Sequence, residues 1–158
     1  MPKIDIARAV VRTGSSYPEV FKKVCRGREK RALGDVAGLT QFGVNLTRLA
    51  PGAASALRHW HAAEDEFIYM LEGELVLIEN EGETLLRPGD AAGFKAGVPN
   101  GHQLVNKSAR DAVYLEIGTR AARERAEYPD VDLVGDKDER GFRFTHKSGE
   151  PYPEARRG

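Results

Sequence analysis

Between Gln41 and Gly118 the chain is a succession of short apolar runs, each closed by a turn signal. "QFGVNLTRLAPG" reads as a strand ended by Pro-Gly, and "EFIYMLEGELVLIENEGETLLRPGD" holds three runs cut at Glu72-Gly73, at "ENEGE" and at "RPGD". "AAGF", the turn "KAGVPNG", the strand "HQLVN", the turn "KSARD" and the strand "AVYLEIG" follow. Strands this short, with turns at such regular spacing, predict an all-β antiparallel sandwich or barrel. The absence of an alternating helical period argues against a parallel sheet.

Flanking that core, residues 1–40 are mixed and basic with no clean period, and read as an N-terminal arm. After Gly118 the pattern dissolves. "TRAARERAE" is expected to be either a short helix with Thr119 as N-cap or a solvated loop. Residues 119–158 then read as a tail that packs on the barrel or on a partner subunit, with Val131 and Leu133 docked and Asp130 and Asp132 outward. Phe142 and Phe144, again two apart, favour docking over disorder. One domain suits a chain of 158 residues.

Net charge is zero, which argues against nucleic acid or an anionic membrane as the main partner. No apolar run approaches the roughly 18 residues of a spanning helix, no signal peptide is evident, and a single cysteine, Cys25, suits a reducing cytoplasm. The basic run "RGREKR" reads as a solvated face, and no nucleotide-cradle or hydrolase motif is present.

The chemistry concentrates in "RHWHAAEDEF". His59 and His61 are two apart on a strand, so both imidazoles point the same way with Cα atoms about 6.6 Å apart. Glu66 opens the next strand on the face it shares with Ile68 and Met70, and an antiparallel pairing of the two strands would bring it back beside the histidines. His102 opens "HQLVN" after a Pro-Gly turn, while His146 lies in the tail and is expected to be solvent-exposed.

These residues resemble the two signature motifs of the cupin superfamily. The first is usually G-x5-H-x-H-x3–4-E-x6-G, matched by Gly52, His59, His61, Glu66 and Gly73 with one extra residue after Gly52. In the second, Gly93, Pro99, Gly101, His102 and Asn106 match, with the two residues between Gly101 and His102 missing. The resemblance covers about Gln41 to Gly118. It implies a cupin-type antiparallel β-barrel (a double-stranded β-helix or jelly roll, RmlC-like) over 41–118, usually a homodimer, with metal ligands His59, His61, Glu66 and His102. Three imidazoles and a carboxylate suit one divalent ion per chain, such as Mn, Fe, Ni, Co, Cu or Zn.

Alternation from those ligands places Ile68, Met70 and Leu104 in the substrate pocket, with Arg48 and Lys95 as its expected cations and Tyr69 and Tyr114 as further contacts. On strand 41–49 the apolar set Phe42, Val44 and Leu46 is expected inside and Asn45 outside. The expected function is a metalloenzyme acting by Lewis-acid chemistry on a small organic acid, sugar or sugar phosphate, as isomerase, dioxygenase or decarboxylase; some similar chains carry a sugar-phosphate isomerase label. The rival reading is a non-catalytic metal-containing module that binds or senses a small ligand.

Overall fold

The computed structural model describes residues 2–153; the last five residues of the expected tail lie outside them. In chain order its strands are β1 (Val11–Thr13), β2 (Arg28–Ala32), β3 (Phe42–Leu49), β4 (Trp60–His61), β5 (Glu66–Glu72), β6 (Leu75–Glu79) and β7 (Gly82–Leu86). β8 (Ala91–Phe94), β9 (Gln103–Val105), β10 (Ala112–Thr119), β11 (Glu124–Glu127), β12 (Val134–Asp138) and β13 (Gly141–Thr145) complete them. Among the described residues the named helical elements are one short α-helix, Leu33–Val36, and two 3-10 segments.

One six-stranded sheet runs β1-β2-β3-β10-β5-β8. The second layer has two parts, β7-β6-β9 and β4-β11-β12-β13, joined by an antiparallel bridge between His59 and His102. All pairings are antiparallel, the expected all-β jelly-roll architecture. The apolar "AVYLEIG" becomes β10, central between β3 and β5.

Gly73, at the β5–β6 turn, shows why the first motif ends in glycine. Its φ is +69°, and a Cβ there would lie 2.5 Å from the Asp111 carbonyl oxygen. Only a residue without a side chain fits both the conformation and the space.

Both flanks join the sheets. β1 and β2 extend the six-stranded sheet beyond β3, and β11–β13 build half of the second layer. The stretch read as helix or loop forms the strand β11: its alternate residues Glu124 and Ala126 are buried, a period of two that sheet partners on both sides stabilise. Leu133 is fully buried and Val131 packs beside it, while Asp130 and Asp132 stay exposed. Phe144 joins a core cluster with Tyr17, Cys25 and Tyr128, whereas Phe142 remains half exposed.

The inner face of β3 differs from the sequence expectation. Thr47 and Leu49 are fully buried and Asn45 faces the interior, while Phe42, Val44 and Leu46 lie on the outer face. Apolar-inside fails here because the outer face is itself apolar: Phe67, Tyr69 and Leu71 of β5 lie on it with Phe42 and are 40–43 % exposed.

Candidate metal centre

The ligand candidates come from opposite sheets, not from neighbouring strands. β4 pairs with β11 rather than β5, so the "AAED" segment crosses between layers and Glu66 faces the histidines across the barrel. His59 and His102 exchange two backbone hydrogen bonds, at 3.1 and 2.8 Å, which aligns their rings with centroids 4.7 Å apart. His61 stands edge-on to His59 at 4.9 Å.

All three imidazoles turn Nε2 toward Glu66. His102 Nε2 lies 2.6 Å from Oε2, His61 Nε2 3.2 Å from Oε1 and His59 Nε2 3.8 Å from Oε2. Ligand atoms of His59, His61 and Glu66 all lie within 4.8 Å of one another, and His102 joins the group through Glu66. These residues could hold a metal ion. Nδ1 of His59 donates to the Leu57 carbonyl oxygen at 2.7 Å, which leaves the Nε2 lone pair for a ligand.

Protonation states suit that role. Burial lowers the His59 pKa to about 4, against the pull of Glu66, so the ring is neutral at pH 7. Burial alone would raise the Glu66 carboxyl, but hydrogen bonds from His102 and His61 outweigh it and hold it well below the ordinary value. His61 goes the other way: burial opposes its proton, yet the carboxylates of Glu66, Glu124 and Glu64 raise its pKa.

Around the ligands, Phe94 stacks on His102 at 3.6 Å and Tyr128 on His59 at 5.6 Å. Glu124 of β11, only 2 % exposed at its side chain, has Oε1 3.5 Å from His61 Nδ1 and accepts from the backbone N–H of Ala62 and Ala63 at 2.9 and 3.0 Å. Sequence reading missed it, because it sits in the alanine-and-charge run read as a short helix or a solvated loop.

The four ligand candidates line a cavity of about 430 Å³. Ile68, Leu104 and Tyr114 line it as expected. Met70 is fully buried in the core cluster instead, and Tyr69 faces outward. Arg48 also points outward, paired with Asp111 at 3.3 Å and half exposed, because it lies on the opposite face of β3 from Thr47. Lys95 lines a separate 210 Å³ pocket behind His61 and His102. Among the cations that line the cavity are Arg28 and Lys30 of the arm, which sequence reading placed on a solvated face. Lys30 Nζ lies 2.5 Å from Glu116 Oε1, and Asn45 donates to the same oxygen at 3.1 Å. Glu116 was legible as the one acidic residue on the Tyr114 face of an apolar strand.

His146 is not the free tail histidine expected: it contacts Asp132 at 2.8 Å and stacks on Tyr152. It lies outside the metal group. Cys25 is fully buried, and burial raises its thiol pKa, so it is an inert core residue.

Residues 45–118 match the family model of the cupin domain. Over 95 % of its length this chain superposes on 96 % of a cupin-superfamily sugar phosphate isomerase from Silicibacter pomeroyi, with TM-score 0.91 and 49 % identity. The chain belongs to the cupin superfamily. This cupin also resembles a protein from Acidithiobacillus ferrooxidans provisionally named as a sugar phosphate isomerase, at 27 % identity and TM-score 0.72 over 77 % of each chain. The polyketide cyclase RemF from Streptomyces resistomycificus, at 18 % identity and TM-score 0.61 over 75 % of this chain and 79 % of its own, shares the cupin fold. No curated protein matches the chain. Among the described residues, no helix of this cupin is long and apolar enough to cross a membrane.

Proposed function

We propose that this cupin is a divalent-metal-dependent isomerase of a small hydroxycarbonyl compound, a phosphorylated sugar being the favoured class. The observation that carries the reading is a second carboxylate in the ligand cavity. Glu116 lines it together with His59, His61, Glu66 and His102, and sits two residues along β10 from Gly118, the register partner of Glu66. A module that only binds a ligand has no need of such a proton-transfer group. The 49 % identity to a protein named for sugar phosphate isomerisation supports the same reading.

His59, His61, Glu66 and His102 would hold one divalent ion, which supplies Lewis-acid polarisation of substrate oxygens. Glu66 is engaged by the imidazoles, so it is not the base. Glu116 takes the proton from the carbon beside the carbonyl and returns it to the former carbonyl carbon, while the hydroxyl proton passes to the former carbonyl oxygen. Lys30 and Asn45 hold the carboxylate in place. General-base catalysis of this kind contributes about 10²–10⁴-fold in rate. Ile68, Leu104 and Phe94 wall the reacting carbons from water.

The test is solvent-deuterium exchange into aldose and ketose phosphates, followed by NMR with Mn-, Fe- or Zn-loaded protein. The expected result is deuterium entry beside the carbonyl in wild type and its loss in Glu116→Gln with metal content unchanged. Exchange at wild-type rate in Glu116→Gln, or in no substrate of the class with any of these metals, refutes the proposal.

A further inference from the structure

The cavity holds cations that the proton transfer does not use. β1 and β2 pair with Arg12 opposite Lys30; Lys30 lies opposite Thr47, and Thr47 opposite Tyr114. That row faces inward. Alternation on β2 sends Arg28 and Lys30 to the cavity, while Glu29 and Arg31 pair with each other on the outer side. Arg12, Arg28 and Lys30 therefore share one stretch of wall, where Glu116 is bound to Lys30.

Arg28 is held in an unusual way. Nε and Nη2 donate to the Gly14 carbonyl oxygen at 3.0 and 2.6 Å, and Nη1 donates to that of Ser55. Among the described residues, no carboxylate lies within ion-pair distance of Arg28 or Arg12. Neutral acceptors thus fix the guanidinium plane and leave its charge uncompensated. The fork has five N–H donors, so two remain for a ligand. A partly buried charge without a counter-ion is unfavourable until an anion arrives, and a planar fork suits an oxyanion.

The seat and the metal group act on one space. The Tyr114 hydroxyl is buried on β10, opposite Thr47 of β3. Arg28, Tyr114 and Glu116 line the same cavity as Glu66 and the three histidines.

We infer that Arg28, flanked by Lys30 and Arg12, is the seat for an oxyanion of the substrate, a phosphate or a carboxylate. The inference rests on the isomerase reading for its substrate, and it names the group that orients that substrate with its reacting oxygens toward the histidines. The arm thereby sets specificity, selecting charged over neutral sugars.

The experiment is calorimetric titration of inorganic phosphate, with acetate as a second arm, into the full-length metal-loaded protein and its variants. Wild type should bind phosphate saturably. Arg28→Gln should weaken it about tenfold or more with metal content unchanged, and Arg28→Lys, which keeps the charge but not the fork, should fall between. His61→Ala should lose metal yet keep phosphate affinity within about threefold. Preference for acetate assigns the seat to a carboxylate substrate and still supports it. Should Arg28→Gln misfold on losing its bonds to Gly14 and Ser55, Arg28→Lys and the exposed Arg12→Ala carry the test. Wild-type affinity in both overturns the seat, as does absence of saturable binding of either anion to wild type. Phosphate binding lost in His61→Ala but kept in Arg28→Gln puts the anion on the metal and overturns the seat alone. Failure of the protein to bind metal overturns the isomerase reading while the anion titration still decides the seat.

Discussion

Replacing Glu124 with alanine separates two jobs that one side chain performs. The carboxylate accepts from the N–H groups of Ala62 and Ala63 and faces Nδ1 of His61. Hydrogen bonds to a charged acceptor contribute about 1.5–3 kcal/mol each. The Ala62 N–H has a second acceptor in the Arg125 carbonyl oxygen at 2.9 Å, so only that of Ala63 is orphaned. The expected loss of stability is therefore about 2–3 kcal/mol, with the emptied volume included. If the carboxylate 3.5 Å from Nδ1 of His61 orients that imidazole, its removal should also cost about 10–100-fold in metal affinity, or about 1.4–2.7 kcal/mol. Glu124→Gln separates the two effects. Its carbonyl still accepts from Ala63, so stability should largely return, while affinity stays low because the charge facing His61 is gone. Competitive chelator titration with Zn or Mn, beside thermal melting, measures both. If Glu124→Ala melts lower yet holds metal with wild-type affinity, Glu124 serves only the turn at residues 62–63 and the orienting argument fails.

Elemental analysis should find metal sharply reduced in His61→Ala and unchanged in His146→Ala, since His146 is bound to Asp132 away from the group; equal metal in both refutes the ligand assignment. In metal-free protein His59 sits at about 4, below its unfolded value near 6.5, so the unfolded chain takes up the proton first on acidification. Its contribution is intact above about pH 6.5 and is lost as pH falls toward 4, by about 3 kcal/mol, and denaturant melts should show a flatter acid limb in His59→Gln. The outer face of the six-stranded sheet carries Phe42, Phe67, Tyr69 and Leu71 at 40–43 % exposure, so the protein is expected to be a homodimer through that face. Sedimentation should give twice the 17.4 kDa chain mass, reduced to the single-chain value by Tyr69→Glu; a monomeric wild type at micromolar concentration refutes this.

The alternation of "EFIYML" and the turn signals after it determined, without any structure, that Glu66, Ile68 and Met70 share the inner face and that the core is antiparallel β. The two-residue spacing of His59 and His61 likewise made their convergence legible, because strand geometry is local. Which strand lies across from which is not local. Tertiary structure decided that Glu66 meets the histidines from the opposite sheet, that β11 rather than a helix brings Glu124 to His61, and that Arg28 and Lys30 turn inward while Arg48 turns out. Glu124, Arg28 and Lys30 belong to β11 and β2, where charged residues outnumber apolar ones, so no hydrophobic period marks the buried face. Their orientation is set by the strand each segment pairs with, and that partner lies far away in the chain.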